Sequence, residues 1–74
     1  MSPDEWRWVI LAIGLVWLAE ALNTAIERLA NAITIEPNAS IGYAKDVAAG
    51  AVLIATIVAS AIGLTIFMPH LMAA

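Results

Sequence analysis

Trp8-Val-Ile-Leu-Ala-Ile-Gly-Leu-Val-Trp-Leu-Ala-Glu20-Ala-Leu-Asn-Thr-Ala-Ile-Glu27 decides the fold. Trp8 to Ala19 carries no charge, and a polar stripe is cut into the remainder. On an α-helix each residue turns by about 100°, so side chains three, four and seven apart share a face. With Glu20 at zero, Asn23 falls at about −60°, Glu27 at about −20°, Asn31 at about +20° and Thr24 at about +40°. Leu22, Ile26 and Leu29 point elsewhere. An ionisable side chain at the end of such an apolar run is costly in lipid and marks a functional site by default. The plain alternative is a helix end whose charges simply meet water.

Working outward, the chain has 74 residues, 64% hydrophobic and 12% charged, with a mean hydropathy of +0.95. A water-soluble fold of this size buries only about 60% of its surface. Ordinary globular chains are about half apolar and about a quarter charged. Insertion in a membrane resolves the mismatch. The net charge of −3 is scattered, so no basic patch points to nucleic acid. Without cysteine there is no disulfide framework and no thiolate metal site. Trp8 to Leu18 followed by Ala19-Glu20-Ala21 has the form of a signal peptide with its cleavage site, but Asp4-Glu5-Trp6-Arg7 is net negative where signal peptides start positive.

Ser2-Pro3-Asp4-Glu5 is a helix start with a capping box, and Trp6-Arg7-Trp8 has the composition of a membrane–water interface. About 20 residues cross a bilayer core, which takes the first helix to Glu27-Arg28. Glu20 then lies about 18 Å beyond Trp8, past the midplane but inside the hydrocarbon. Thr34, Glu36-Pro37-Asn38, Ser40 and Gly42 form a turn-rich connection. Asn38-Ala39-Ser40 is a formal glycosylation sequon of a very common kind. Val47 to Met68 is a second uncharged run, ended by Pro69, with His70 solvated beyond it. Ala51, Ala55, Ala59 and Gly63 recur every fourth residue, a row that lets another helix backbone approach. The chain therefore reads as one all-α membrane domain, residues 1–74. Its helices run about 3–32 and about 41–68 around a loop at 33–40, forming an oligomeric bundle. Arg28 and Lys45 beside the loop, against Arg7 at the other end, put the loop on the cytoplasmic side.

At the loop side Glu20, Asn23, Glu27 and Asn31 meet Lys45 and Asp46. A surface carboxylate with an amide beside it can hold Mg²⁺. A lysine is a point charge suited to phosphates, and a deeper carboxylate can take a proton from a lipid hydroxyl. Positioning, metal and charge neutralisation are most of what phosphoryl transfer needs. No G-x-x-x-x-G-K-[ST] sequence is present, which excludes an ordinary phosphate-loop nucleotide fold.

Ala19-Glu-Ala-Leu-Asn-Thr-Ala-Ile-Glu27 and Ala44-Lys-Asp-Val-Ala-Ala-Gly-Ala-Val-Leu53 together resemble the signature of the prokaryotic diacylglycerol kinase and undecaprenol kinase family. The resemblance covers essentially the whole chain. It implies a small integral membrane homotrimer of the inner, cytoplasmic membrane that uses MgATP to phosphorylate a lipid alcohol, diacylglycerol or undecaprenol. By position, Glu20 resembles the general base and Glu27 a metal-coordinating carboxylate. Asn23 resembles an active-site amide, Lys45 a contact to ATP phosphates and Asp46 a support of the polar network. Asn31 stands where the family pattern has aspartate, removing a charge beside the nucleotide site. Family members also begin with a surface helix and a first transmembrane helix, which bring another metal-binding glutamate. This chain reads as the remaining two-thirds, so the expectation is little or no activity on its own. The rival reading is a proton- or ion-translocating hairpin subunit. Rotor-ring subunits, however, carry their carboxylate on the second helix, with a glycine-repeat first helix and a polar Arg-Gln-Pro loop. None of these features occurs here. A structural or pore-forming hairpin would not need Lys45-Asp46 beside Glu27.

Overall fold

The computed structural model of the protein describes residues 1–73. The apolar runs form two helices, α1 over Pro3–Ile33 and α2 over Ala39–Ala73, packed as an antiparallel hairpin with extents of 54 × 18 × 13 Å. α1 starts where its capping box sets it. The Ser2 hydroxyl accepts from the Glu5 N–H at 3.1 Å, and Glu5 Oε1 accepts from the Ser2 N–H at 2.9 Å. α1 ends at Thr34, whose extended backbone turns the chain while its N–H still donates to the Ala30 carbonyl. Asn38 opens α2, two residues before Ser40: its Oδ1 accepts from the Ile41 N–H at 3.1 Å, satisfying one orphan donor. Both helices are long and apolar enough to cross a membrane, and no strand occurs among the described residues.

Pro69 does not end α2, which continues to Ala73. A proline forfeits one backbone hydrogen bond and crowds the preceding turn, and so late in a helix little remains to be broken. His70 is not left to solvent either. Its Nε2 lies 3.0 Å from Glu5 Oε2, joining the open end of the hairpin across 65 residues of chain.

The helices meet along a seam whose positions alternate in steps of three and four. From α1 come Glu5, Val9, Ala12, Val16, Ala19, Asn23, Ile26 and Ala30; from α2 come Ile41, Lys45, Ala48, Val52, Ala55, Ala59, Ile62 and Ile66. All are buried or half-buried. This spacing keeps a side-by-side contact on one stripe, as in a coiled coil. A strict step of four advances by about 40° each time. The row Ala51, Ala55, Ala59, Gly63 therefore crosses the seam obliquely instead of forming it. Ala55 is buried and Ala59 half-buried, whereas Ala51 opens on one flank and Gly63 on the other.

Among the described residues only Ala12, Ala30, Ala48, Ala55 and Ile66 are buried. The accessible surface is 5694 Å², against about 4,400 Å² for a compact chain of this mass. Trp17, Leu29 and Ile54 stand 74%, 65% and 64% exposed. Such a surface belongs in lipid or against other helices. Ala55, 4% exposed at the seam, has no room for a larger side chain, so Ala55→Leu is expected to weaken helix pairing by about 1–3 kcal/mol. Gly50→Ala adds a carbon that meets nothing within 4 Å and leaves pairing intact. Reversible unfolding of the two variants in detergent, followed by a distance probe across the hairpin, checks this.

Candidate functional site

The seam divides the hairpin into two flanks of opposite character. Leu15, Leu18 and Leu22 of α1 face Val47, Ile54 and Val58 of α2 across an open groove of about 820 Å³ that is almost wholly apolar. The other flank carries the charges. Glu20 and Glu27 each follow a seam residue by one position, and Thr24 and Asn31 continue the same side of α1. Trp17, Glu20 and Thr24 share a shallow recess there. This apolar groove is thus on the flank away from the carboxylates, and the chemistry is sited by the polar residues.

The six residues singled out by the sequence do not all meet. Lys45 and Asn31 do: Lys45 sits half-buried at the seam and its Nζ donates to Asn31 Oδ1 at 2.9 Å. An amide oxygen orients the ammonium without neutralising it. The full positive charge therefore remains available to an anion, which an aspartate at 31 would partly cancel. Glu20, Glu27 and Asp46 are exposed and make no side-chain hydrogen bond or ion pair among the described residues. Glu20 and Glu27 are seven residues apart, about 10 Å along the axis, too far to share one ion. Among the described residues no three His, Asp or Glu side chains gather into a metal cluster.

Asn23 departs from the expected stripe. Its offset from Glu20 turns it into the seam, where its Oδ1 is buried without a hydrogen-bond partner. A buried acceptor left unpaired costs about 1–3 kcal/mol. A core position under no other demand would carry a leucine or alanine here.

Trp17 was not singled out by the sequence reasoning, yet its ring forms one wall of the recess that holds Glu20. The signal was present: Trp17 precedes Glu20 by three residues, a same-face spacing, in the middle of an apolar run.

Comparison with known proteins bears directly on this arrangement. A family profile described as prokaryotic diacylglycerol kinase matches residues 1–67. Undecaprenol kinase of Bacillus subtilis (strain 168) is 43% identical over 71 residues, covering 96% of this chain and 58% of that relative. The chain thus spans less than two thirds of the relative's length. No solved structure matches it.

The Lys45–Asn31 contact yields an electrostatic test. Asn31→Leu removes the acceptor of the Lys45 ammonium, and since the contact is exposed to solvent it is expected to weaken the loop end of the hairpin by about 0.5–1 kcal/mol. Asn31→Asp replaces the neutral acceptor with a charge-assisted one and strengthens it. Amide hydrogen exchange over residues 28–46 reads both directions.

Proposed function

The chain belongs to the prokaryotic diacylglycerol kinase family, and from that premise we propose that it transfers the γ-phosphoryl group of ATP to the hydroxyl of a membrane lipid alcohol. The observation that carries the reading is the single polar flank. It sets two free carboxylates, Glu20 and Glu27, in line with an oriented, un-neutralised ammonium at Lys45. The name of the Bacillus subtilis relative favours undecaprenol as the acceptor, and the family description favours diacylglycerol. Arg28 and Lys45 beside the loop favour its lying on the cytoplasmic side, where ATP is found. The exposed apolar flanks support a homo-oligomer, a trimer by the family resemblance.

In this reading Glu20 accepts the proton of the lipid hydroxyl, whose oxygen forms a bond to the γ-phosphorus. The bond from that phosphorus to the bridging oxygen breaks, and ADP leaves. Lys45 offsets charge on the phosphates, with Asn31 aiming it and Asp46 at its side. Asn23 takes the place of the family's active-site amide, with its oxygen buried between the helices. Glu27 is suited to hold Mg²⁺ because that ion needs only one or two carboxylates besides phosphate oxygens and water. The ion, when bound, neutralises charge on the nucleotide. Positioning and charge compensation of this kind account for most of the rate in phosphoryl transfer.

The test is a labelled-ATP assay with undecaprenol and with diacylglycerol in nanodiscs. It uses the chain alone and the chain joined to the part of the Bacillus subtilis relative outside the matched residues. Glu20→Gln, Glu27→Gln and Lys45→Met are each expected to lower transfer by about 100-fold or more, and Gly50→Ala to leave it unchanged. Transfer that survives Glu27→Gln refutes the metal role. No transfer in either form, with a proton conductance abolished by Glu20→Gln, turns the reading to ion translocation.

A further inference from the structure

Trp17 differs from the other two tryptophans. Trp6 and Trp8 flank Arg7 in the first turns of α1, the composition of an interfacial belt. Trp17 lies nine residues deeper, about 13 Å along the axis, and is 74% exposed. Its indole N–H makes no hydrogen bond among the described residues, and an N–H in hydrocarbon is costly until it finds an acceptor. The ring is also a boundary. On one side it lines an open apolar groove of about 470 Å³ between the helices, with Val9 and Ile13 opposite Ile62, Gly63 and Phe67. On the other it walls the recess that holds Glu20 and Thr24. A hydrocarbon slot and a carboxylate therefore share one aromatic partition.

We propose that Trp17 is the specificity-determining residue for the lipid acceptor. The hydrocarbon chain of the alcohol lies in the slot against the ring, and the indole N–H donates to the hydroxyl oxygen, setting the hydroxyl at Glu20. The inference rests on the lipid-kinase reading and adds where the acceptor's chain runs: from Glu20 away from the loop, towards Phe67. Gly63 keeps the slot open on the α2 side, since a carbon added there meets only the Phe67 ring, at 4.0 Å.

The test reads binding without turnover, so its failure is distinct from failure of phosphate transfer. In the Trp6→Phe/Trp8→Phe chain, Trp17 is the sole tryptophan. Its emission is followed in nanodiscs as a brominated polyprenol is titrated, with a brominated phospholipid at equal mole fraction as the second arm. Saturable quenching by the alcohol, above that of the phospholipid, is expected. Filling the slot by Gly63→Leu should weaken the apparent affinity by about 10-fold or more. Helical content by circular dichroism confirms that this variant is folded; if it is not, Gly63→Ala gives a smaller loss in the same direction. Quenching that rises linearly and equally with both lipids, or that neither Gly63 variant alters, overturns the proposal. In the active form, Trp17→Ala should raise KM for the lipid and leave KM for ATP unchanged, whereas Trp17→Phe, which keeps the ring and drops the donor, should lower kcat. Equal effects on both substrates overturn the assignment.

Discussion

Close approach of two helix backbones is the constraint on which everything else depends. In lipid there is no hydrophobic force between helices, because the surroundings are as apolar as the side chains. What remains is van der Waals contact, and that requires small residues at the seam. Ala12, Ala19 and Ala30 of α1 and Ala48, Ala55 and Ala59 of α2 provide it. The large residues are pushed to the flanks, which is why the hairpin has almost no core and a surface of leucine, isoleucine and tryptophan. A chain built this way is finished only by what surrounds it.

The same seam sorts the polar groups. A residue one position beyond a seam residue is carried to one flank, and one position before it to the other. Glu20 and Glu27 follow Ala19 and Ile26; Leu15 and Leu22 precede Val16 and Asn23. The flank bearing the carboxylates also receives the Lys45 ammonium, which crosses from the facing helix to Asn31. Opposite charges are thus spread along one stripe without being paired off. Asn31, which holds the Lys45 ammonium, stands eleven residues beyond Glu20 on α1, about 16 Å or three turns along the axis. The other flank is lined mainly by leucine, isoleucine, valine and alanine, with Tyr43 near its loop end.

Much of this was legible in the residues. Ser2, Pro3 and Glu5 fix the start of α1 through a local capping box, and two uncharged runs announce the spans. The polar stripe from Glu20 to Asn31 announces the flank. What was not legible depends on which stripe of each helix meets the other. Composition favoured the four-residue row from Ala51 to Gly63, but side-by-side packing over many turns needs the three–four alternation, which only the partner helix selects. For the same reason Asn23, grouped with Glu20 by angle, is in the seam, while Trp17, absorbed into the apolar run, stands beside the carboxylate. Pro69 and His70 were misjudged because each was read locally. The partner of His70 is Glu5, at the far end of the chain.

That last contact bears on registry. Six of the sixteen seam positions are alanine and most of the rest valine or isoleucine, so one turn is poorly distinguished from the next when a helix slides along it. A slip of one turn, about 5.4 Å, would leave the apolar contacts nearly as good as before. It would separate His70 from Glu5 at one end and Lys45 from Asn31 at the other. The two polar contacts lie near opposite ends of the seam and agree on the same alignment. Polar groups are known to select register in helix pairs while adding little to their strength. Here they act as paired index marks on an otherwise unmarked rule, holding the Lys45 ammonium at one fixed height relative to Glu27.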